Sequence, residues 1–509
     1  METTRRSLLL GAAALPFLNL RAALAQEQDR KIIFGLSTYP ANIHPWLHAG
    51  TAAATVKFTI HRSLLGYDDA GELKGELAES WDYEGEGTWV FKLRDATWHD
   101  GSPVTAEDIK WNVETAAAPD STAVLAAQLR DITAIEVVDD KTIKFTTAQP
   151  IRTLPLSFAS TYFHMVKKNS ITDEQPGIGA GPYVMSADER GVAMEVEPYE
   201  GYYDESLPKN PGVRFVAYGD ENLRVAALEA GDVDLIEFVP WSAMANLETN
   251  DEVKMDHVDT GQFMYLVFNA DAGPFGDPRV RLAVAHAIRR QEIVDAVFFG
   301  QGAPLEGLPI PPQSPIYDES QDHVFDYDPE KAKALLAEAG YPDGFKCTIL
   351  STAQYFMHRD TALVVQQHLG EIGIEVEATL PDWPTRVAMG DKGEYQIAVG
   401  GLAFSSNDPD GMSDGYSSKL APSNLRSWNM VIPGLDDALE AGRREFDADK
   451  RAAIYDEFKK LAIENVPIVP LTWRRQSYGM RQNVEGFVNL PGSLTNYSGI
   501  TLAETTLDE

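Results

Sequence analysis

Strand signals and helix signals take turns along almost the whole of this 509-residue chain, and that alternation limits its fold more than any other feature. The stretch WVFKLRDATWHDGSPVTAEDIKWNVETA shows the repeating logic. Trp89 to Leu93 alternates apolar and polar residues, as a half-buried strand does. HDGSP supplies turn residues. Thr105 then precedes AEDIKWNVETA with Asp108 three positions on, a weaker form of the Ser/Thr-x-x-Glu capping box, so a helix starts there. IEVVDDKTIKFTT and GAGPYVMSADERGVAMEVEP read as strand pairs. LRVAALEAGDVDLIEFV reads as helix, glycine stop and buried strand, and DPEKAKALLAEAGYPDGF as a helix with proline in its first position. FMYLVFNA, YQIAVGGLAF and VPIVPLTW are apolar strands, and DADKRAAIYDEFKKLAIEN is a long helix. Interleaving of this kind specifies an α/β class with mixed sheets and flanking helices. No internal repeat of fixed period is present.

The length suits two or three domains, each with its own core. Hydrophobic residues make up 44% and charged residues 24%, the balance of a globular protein. The formal net charge of −34 argues against nucleic acid, which needs clustered Lys and Arg. At the start, TRRSLLLGAAALPFLNLRAALAQ places Arg5 and Arg6 before an apolar run from Leu8 to Leu20, followed by Ala23-Leu24-Ala25. The run is shorter than the roughly 20 residues a membrane span needs. It reads as a signal peptide over 1–25, of twin-arginine character, cleaved after Ala25. No Cys follows it for lipid attachment, and the single Cys347 cannot form an internal disulfide. These features describe an exported, unlipidated protein of a Gram-negative periplasm.

Catalytic patterns are scarce. Gly-x-Ser-x-Gly, His-Glu-x-x-His and Gly-Lys-Ser/Thr are all missing. Ser206 to Lys209 is interrupted by Pro208, which spoils the helical Ser-x-x-Lys geometry. His99, Asp100, Glu107 and Asp108 are explained by the turn and the cap. GIGAG (Gly177 to Gly181) is followed by Pro182 and a β-like run, not by the helix that phosphate binding requires. His44 and His48 have i, i+4 spacing, but Pro45 suits a loop better than a chelating helix. SSNDPDGMSDGYSS (Ser405 to Ser418) fails as a calcium loop, because positions 5, 6 and 12 counted from Asp408 are Met412, Ser413 and Lys419. Asp408-Pro409 fits a helix cap with proline next, and the other two acids read as a dipole complement and a solvated loop. No enzyme activity, cofactor or metal is expected.

LAESWDYEGEGTWVFKLRDATWHDGSPVTAEDIKW, GAGPYVM, LEAGDVDLI, LVFNADAGPFGDPRVRLAVAHAI, YDPEKAKALLAEAGYPDGF and LGEIGIEVE run in order across most of the chain. Together they resemble the extracytoplasmic solute-binding proteins of ABC transporters, family 5, the peptide/nickel-binding type. The resemblance implies a two-lobe periplasmic-binding-protein fold of type II with a ligand cleft between the lobes. It implies lobe one at 26–265 with an extra subdomain at about 61–185, lobe two at 266–475, and a return to lobe one at 476–509. Closure on a ligand would be a hinge motion. The implied partners are a peptide or small-molecule ligand and an ABC permease with its ATPase subunits, the binding protein itself being a monomer without membrane insertion.

By the same resemblance, Tyr39, Trp46, Tyr355, Phe356, Phe404, Trp428 and Trp473 fall near the cleft, where aromatic faces suit peptides and sugars. Arg359 is a candidate for a ligand carboxylate. Peptide-binding relatives often hold the peptide ammonium with an Asp a few residues before this Asp-Pro. The matching position here is Ser405, which brings no charge, leaving Asp408 as the candidate acid. The expected ligand is a peptide or oligopeptide; the alternative is another polar solute, such as an oligosaccharide or an opine-like conjugate.

Overall fold

The structure, a computed structural model, describes residues 30–40, 42–47, 50–172 and 176–508. The signal-peptide segment 1–25 and His48 lie outside the described residues. Two mixed sheets dominate. The first has seven strands, in the order Val253–Val258, Gln476–Arg481, Leu235–Ile236, Ile32–Leu36, Val213–Ala217, Ala193–Pro198 and Tyr183–Glu189. Ile32–Leu36 pairs in parallel with both Val213–Ala217 and Leu235–Ile236, so Ile32, Phe34 and Leu36 are fully buried. The second sheet has six strands, in the order Gly302–Pro304, Ile468–Arg474, Gln262–Phe268, Ile397–Ala403, Phe345–Leu350 and Ile374–Thr379. Gln262–Phe268 is buried along its whole length, which is why it reads as an unbroken apolar run. Each of its large side chains contributes about 1.5–3 kcal/mol by burial.

A four-stranded antiparallel sheet, in the order Ala78–Gly85, Thr88–Leu93, Thr142–Thr147 and Ile132–Asp139, forms a separate layer with its own core. The helix Ala106–Ala116 packs there and begins as the sequence expects. The Asp108 amide donates to Thr105 Oγ1 at 3.3 Å, and Asp108 Oδ2 accepts from the Thr105 amide at 3.0 Å. The same carboxylate accepts from Trp98 Nε1 at 3.3 Å and from the Lys168 amide at 3.1 Å, tying turn, helix and following loop together. The GIGAG stretch is a packing device. A Cβ on Gly179 would stand 1.9 Å from the Ile60 carbonyl oxygen, so only glycine lets the two backbones meet.

The chain passes between the two large sheets twice. It leaves the first sheet at Val258 and enters the second at Gln262, a few residues ahead of the 265/266 boundary expected from sequence. It returns between Arg474 and Gln476 through the single residue Arg475. Arg475 is fixed at this crossing by Asp259 at 2.5 Å and by Gln301 at 2.8 Å, and its carbonyl accepts from Trp241 Nε1 at 2.8 Å.

Candidate functional site

Between the sheets lies a cleft with a volume of about 960 Å³. Its walls come from both halves: Asp69 to Leu73 and Pro491 on one side, Pro311, Gln313 to Ile316 and Ser406 to Pro409 on the other, with the crossing residues Val258 to Thr260 between. The two halves touch around it. Asn407 Nδ2 donates to the Pro491 carbonyl at 3.0 Å, and Asn407 Oδ1 accepts from the Ser493 amide at 2.8 Å. The Tyr497 hydroxyl donates to the Ser405 carbonyl at 3.2 Å. Thr153 Oγ1 donates to Asp410 at 2.9 Å, Arg443 lies 3.3 Å from Asp131, and Phe446 stacks on Tyr83 at 4.2 Å. These contacts describe lobes drawn together.

Most of those contacts on the six-stranded side come from one segment, Ser405 to Ser413. It follows directly on the strand Ile397–Ala403, so the sheet aims it at the opposite half. Its three acids have three different fates. Asp408 caps the helical turn Pro409–Met412, accepting from the Asp410 amide at 2.8 Å, and also holds Arg451 through two contacts of 2.9 and 2.5 Å. Asp408 is therefore committed to its own half. Asp410 crosses to Thr153, and burial raises its carboxyl above the ordinary range. Asp414 accepts from the Ser405 amide at 2.7 Å; burial pushes it up to about 6, against the lowering effect of the Ser405 hydrogen bonds. The expectation of a solvated loop fails for Asp414, because the segment is covered by the other half of the molecule, while Asp410 stands in the first turn as expected. Ser405 remains exposed, with an acid beside it from nine residues downstream.

The other expected residues scatter. Phe404 and Trp473 are buried against Phe263, at 5.2 and 5.8 Å. Trp46 is in the core beneath the four-stranded sheet, between Trp111 and Phe163, with Nε1 donating to the His164 carbonyl at 3.0 Å. Tyr39 donates to Asp188 at the edge of the seven-stranded sheet. Tyr355 is exposed and stands edge-on to Trp383 at 5.1 Å, while Phe356 meets Trp241 of the other half at 5.9 Å. Arg359 is paired with its neighbour Asp360 at 2.7 Å. Trp428 covers Gly393 and its amide donates to the Phe268 carbonyl, at the far end of the sheet. Of the ten, Asp408 alone lines the open cleft, and Phe356 and Ser405 join it in touching or facing the other half. Sequence reading missed Asn407, which bridges the two halves. A polar residue in a loop carries no mark of which surface it will meet.

Two sheets, two crossings and a closed cleft define the periplasmic-binding-protein class. The match to bacterial extracellular solute-binding proteins, family 5, spans residues 72–424. The chain belongs to this family, the solute-binding components of ABC transporters. It is 27% identical to the glutathione-binding protein GsiB of Pectobacterium atrosepticum, over 99% of each chain. Among solved structures it is similar to AgaA of A. tumefaciens R10 in complex with agropinic acid, at 36% identity and a TM-score of 0.86, covering 94% of this chain and 99% of that one. The fold also matches DppA of Helicobacter pylori in complex with the peptide STSA, at 21% identity and a TM-score of 0.82, covering 96% and 100%.

Proposed function

We propose that this chain is a periplasmic solute-binding subunit that captures a peptide or a peptide-sized amino-acid conjugate between its lobes and delivers it to an ABC permease with its ATPase subunits. The lobes are 26–261 with the return from 476, and 262–475. The observation that carries this reading is the ring of hydrogen bonds that Asn407, Ser405 and Asp410 make across the cleft. Contacts of this kind exist only when the lobes are closed, so a ligand held between the lobes shifts the hinge equilibrium toward them. Export by the twin-arginine route and action as a monomer are part of the same proposal.

A second reading, an opine-like conjugate, is favoured by one specific observation. Ser405 stands where a peptide binder would hold an acid, and it offers no charge to a peptide ammonium. The 36% identical AgaA, solved with agropinic acid, agrees with that reading. Mass spectrometry of the compound released from denatured, freshly purified protein separates the two. Peptide fragments support the first reading and a sugar–amino acid conjugate the second; a neutral glycan or a metal alone defeats both.

A further inference from the structure

Phe446 is an aromatic ring that its own half of the molecule does not use. It sits in the link 445–447 between the helices Leu435–Arg444 and Ala448–Asn465. The link is pinned. The Glu445 amide donates to the Ala441 carbonyl at 3.0 Å, and the Asp447 amide donates to Glu445 Oε1 at 2.8 Å. Phe446 stays 37% exposed and stands outside the core of the six-stranded half. Among the described residues, its two ring contacts both lie on the other lobe. Tyr83 is at 4.2 Å with the planes 21° apart, and Trp89 is at 6.2 Å and 30°.

The surface that receives it is built in advance. Tyr83 and Trp89 are cross-strand partners on Ala78–Gly85 and Thr88–Leu93, with rings 5.3 Å apart. The Tyr83 hydroxyl accepts from the Gly87 amide at 3.0 Å, and Trp89 Nε1 donates to the Ile151 carbonyl at 2.9 Å. Both rings are therefore held by lobe one itself. Beside them the Arg152 amide donates to the Arg443 carbonyl at 3.1 Å, a main-chain hydrogen bond between the lobes. Arg443 Nη1 also faces Asp131 at 3.3 Å. None of Tyr83, Trp89, Asp131, Arg443 and Phe446 belongs to the cleft walls, so no solute atom takes part in these contacts.

We propose that the four-stranded sheet is a clasp: its Tyr83–Trp89 platform receives Phe446 and favours closure without help from any ligand. This rests on the reading of the chain as a two-lobed solute-binding protein and adds what the extra sheet does in it. A direct contact between lobes raises the closed fraction of the ligand-free protein. Apparent affinity scales with that fraction, so the clasp strengthens every ligand by the same factor and discriminates among none. A stacked ring pair with the area it covers is worth about five- to tenfold in this equilibrium. The partly exposed Arg443–Asp131 pair adds little. Phe446 is thus a positioning residue, which sets affinity without touching the solute.

The test places dyes at Val138→Cys and Leu363→Cys in the full mature chain. These are exposed positions on the four-stranded sheet and on the helix Phe356–Glu371, and the native Cys347 is buried. Single-molecule energy transfer is recorded on protein stripped of ligand by unfolding and refolding. The stripped wild type is expected to show a closed population. Its ratio to the open form should fall about five- to tenfold in Phe446→Ala and return in Phe446→Tyr. No closed population in the stripped wild type, or an unchanged ratio in Phe446→Ala, overturns the proposal. Should Phe446→Ala melt more than about 3 °C below the wild type, Tyr83→Leu, which leaves lobe two intact, replaces it in the same comparison. Calorimetry with glutathione and with agropinic acid extends the test. Each probe that binds should be weakened by the factor read from the closed ratio, and a loss confined to one of two binding probes overturns the proposal. If neither binds, energy transfer decides alone. Failure of the solute-binding reading looks different: the compound released from purified protein, returned to the stripped wild type, leaves the closed fraction where it was.

Discussion

Two acid-rich stretches of this chain look alike on paper and do different things. WHDGSPVTAEDIKW and SSNDPDGMSDGYSS both carry several carboxylates, turn residues and a capping signal. In the first, the acids serve the fold around them. Asp108 closes a capping box and holds Trp98 and Lys168, and Asp100 pairs with Lys167 at 2.5 Å. In the second, Asp408 does the same kind of work, but Asp410 and Asn407 reach into the opposite lobe and Asp414 lies at Ser405 on the interface. Residue type and spacing are shared. What separates the two is that the second stretch leaves a sheet at the mouth of the cleft.

That contrast can be broken by substitution. Asp108→Ala has the largest expected effect, a loss of about 3 kcal/mol in unfolding free energy from the cap and the buried acceptor together. Ligand affinity should not change, since no atom of Asp108 approaches the cleft; denaturant melts with parallel calorimetry check both halves of the statement. Asn407→Ala should behave the other way round. It removes two hydrogen bonds that exist only between closed lobes, weakening ligand binding about five- to twentyfold with little effect on unfolding. Equal losses of stability and affinity in either variant would erase the distinction.

Asp414→Asn has the smallest effect and a defined pH dependence. The folded-state value of about 6 lies above the ordinary 3.8, so the folded protein holds this proton more tightly than the unfolded chain. The resulting stability is present below about pH 4 and lost as pH rises through about 6. The asparagine variant keeps the acceptor for the Ser405 amide without the charge. It should match the wild type at pH 4 and exceed it at pH 7. A gap that opens in the opposite direction would mean that Asp414 is stabilised as an anion.

Much of the architecture was legible because it rests on local rules. The capping box at Thr105, the proline-led helix Pro329–Glu338, the glycine stop at Gly231 with φ of 77° and the buried strand Gln262–Phe268 all follow from neighbouring residues. The site was less legible because it is made by distance. Trp46 and Trp473 look like exposed aromatics in a sequence, and burial among Trp111, Phe163 and Phe263 is decided by elements far away in the chain. Asp414 looks solvated until Tyr497, more than eighty residues on, closes over its segment. Ser405 was found by position within the family pattern, and its acid neighbour only by the fold.

The central claim is that the contacts through Asn407, Ser405 and Asp410 belong to a ligand-closed state. Small-angle X-ray scattering of the protein as purified, after ligand stripping by unfolding and refolding, and after return of the released compound tests it most directly. The radius of gyration should rise on stripping and fall back on re-addition, as lobes hinged at 259–261 and Arg475 part and rejoin. An unchanged radius in all three samples would contradict it, showing these contacts to be permanent parts of the fold.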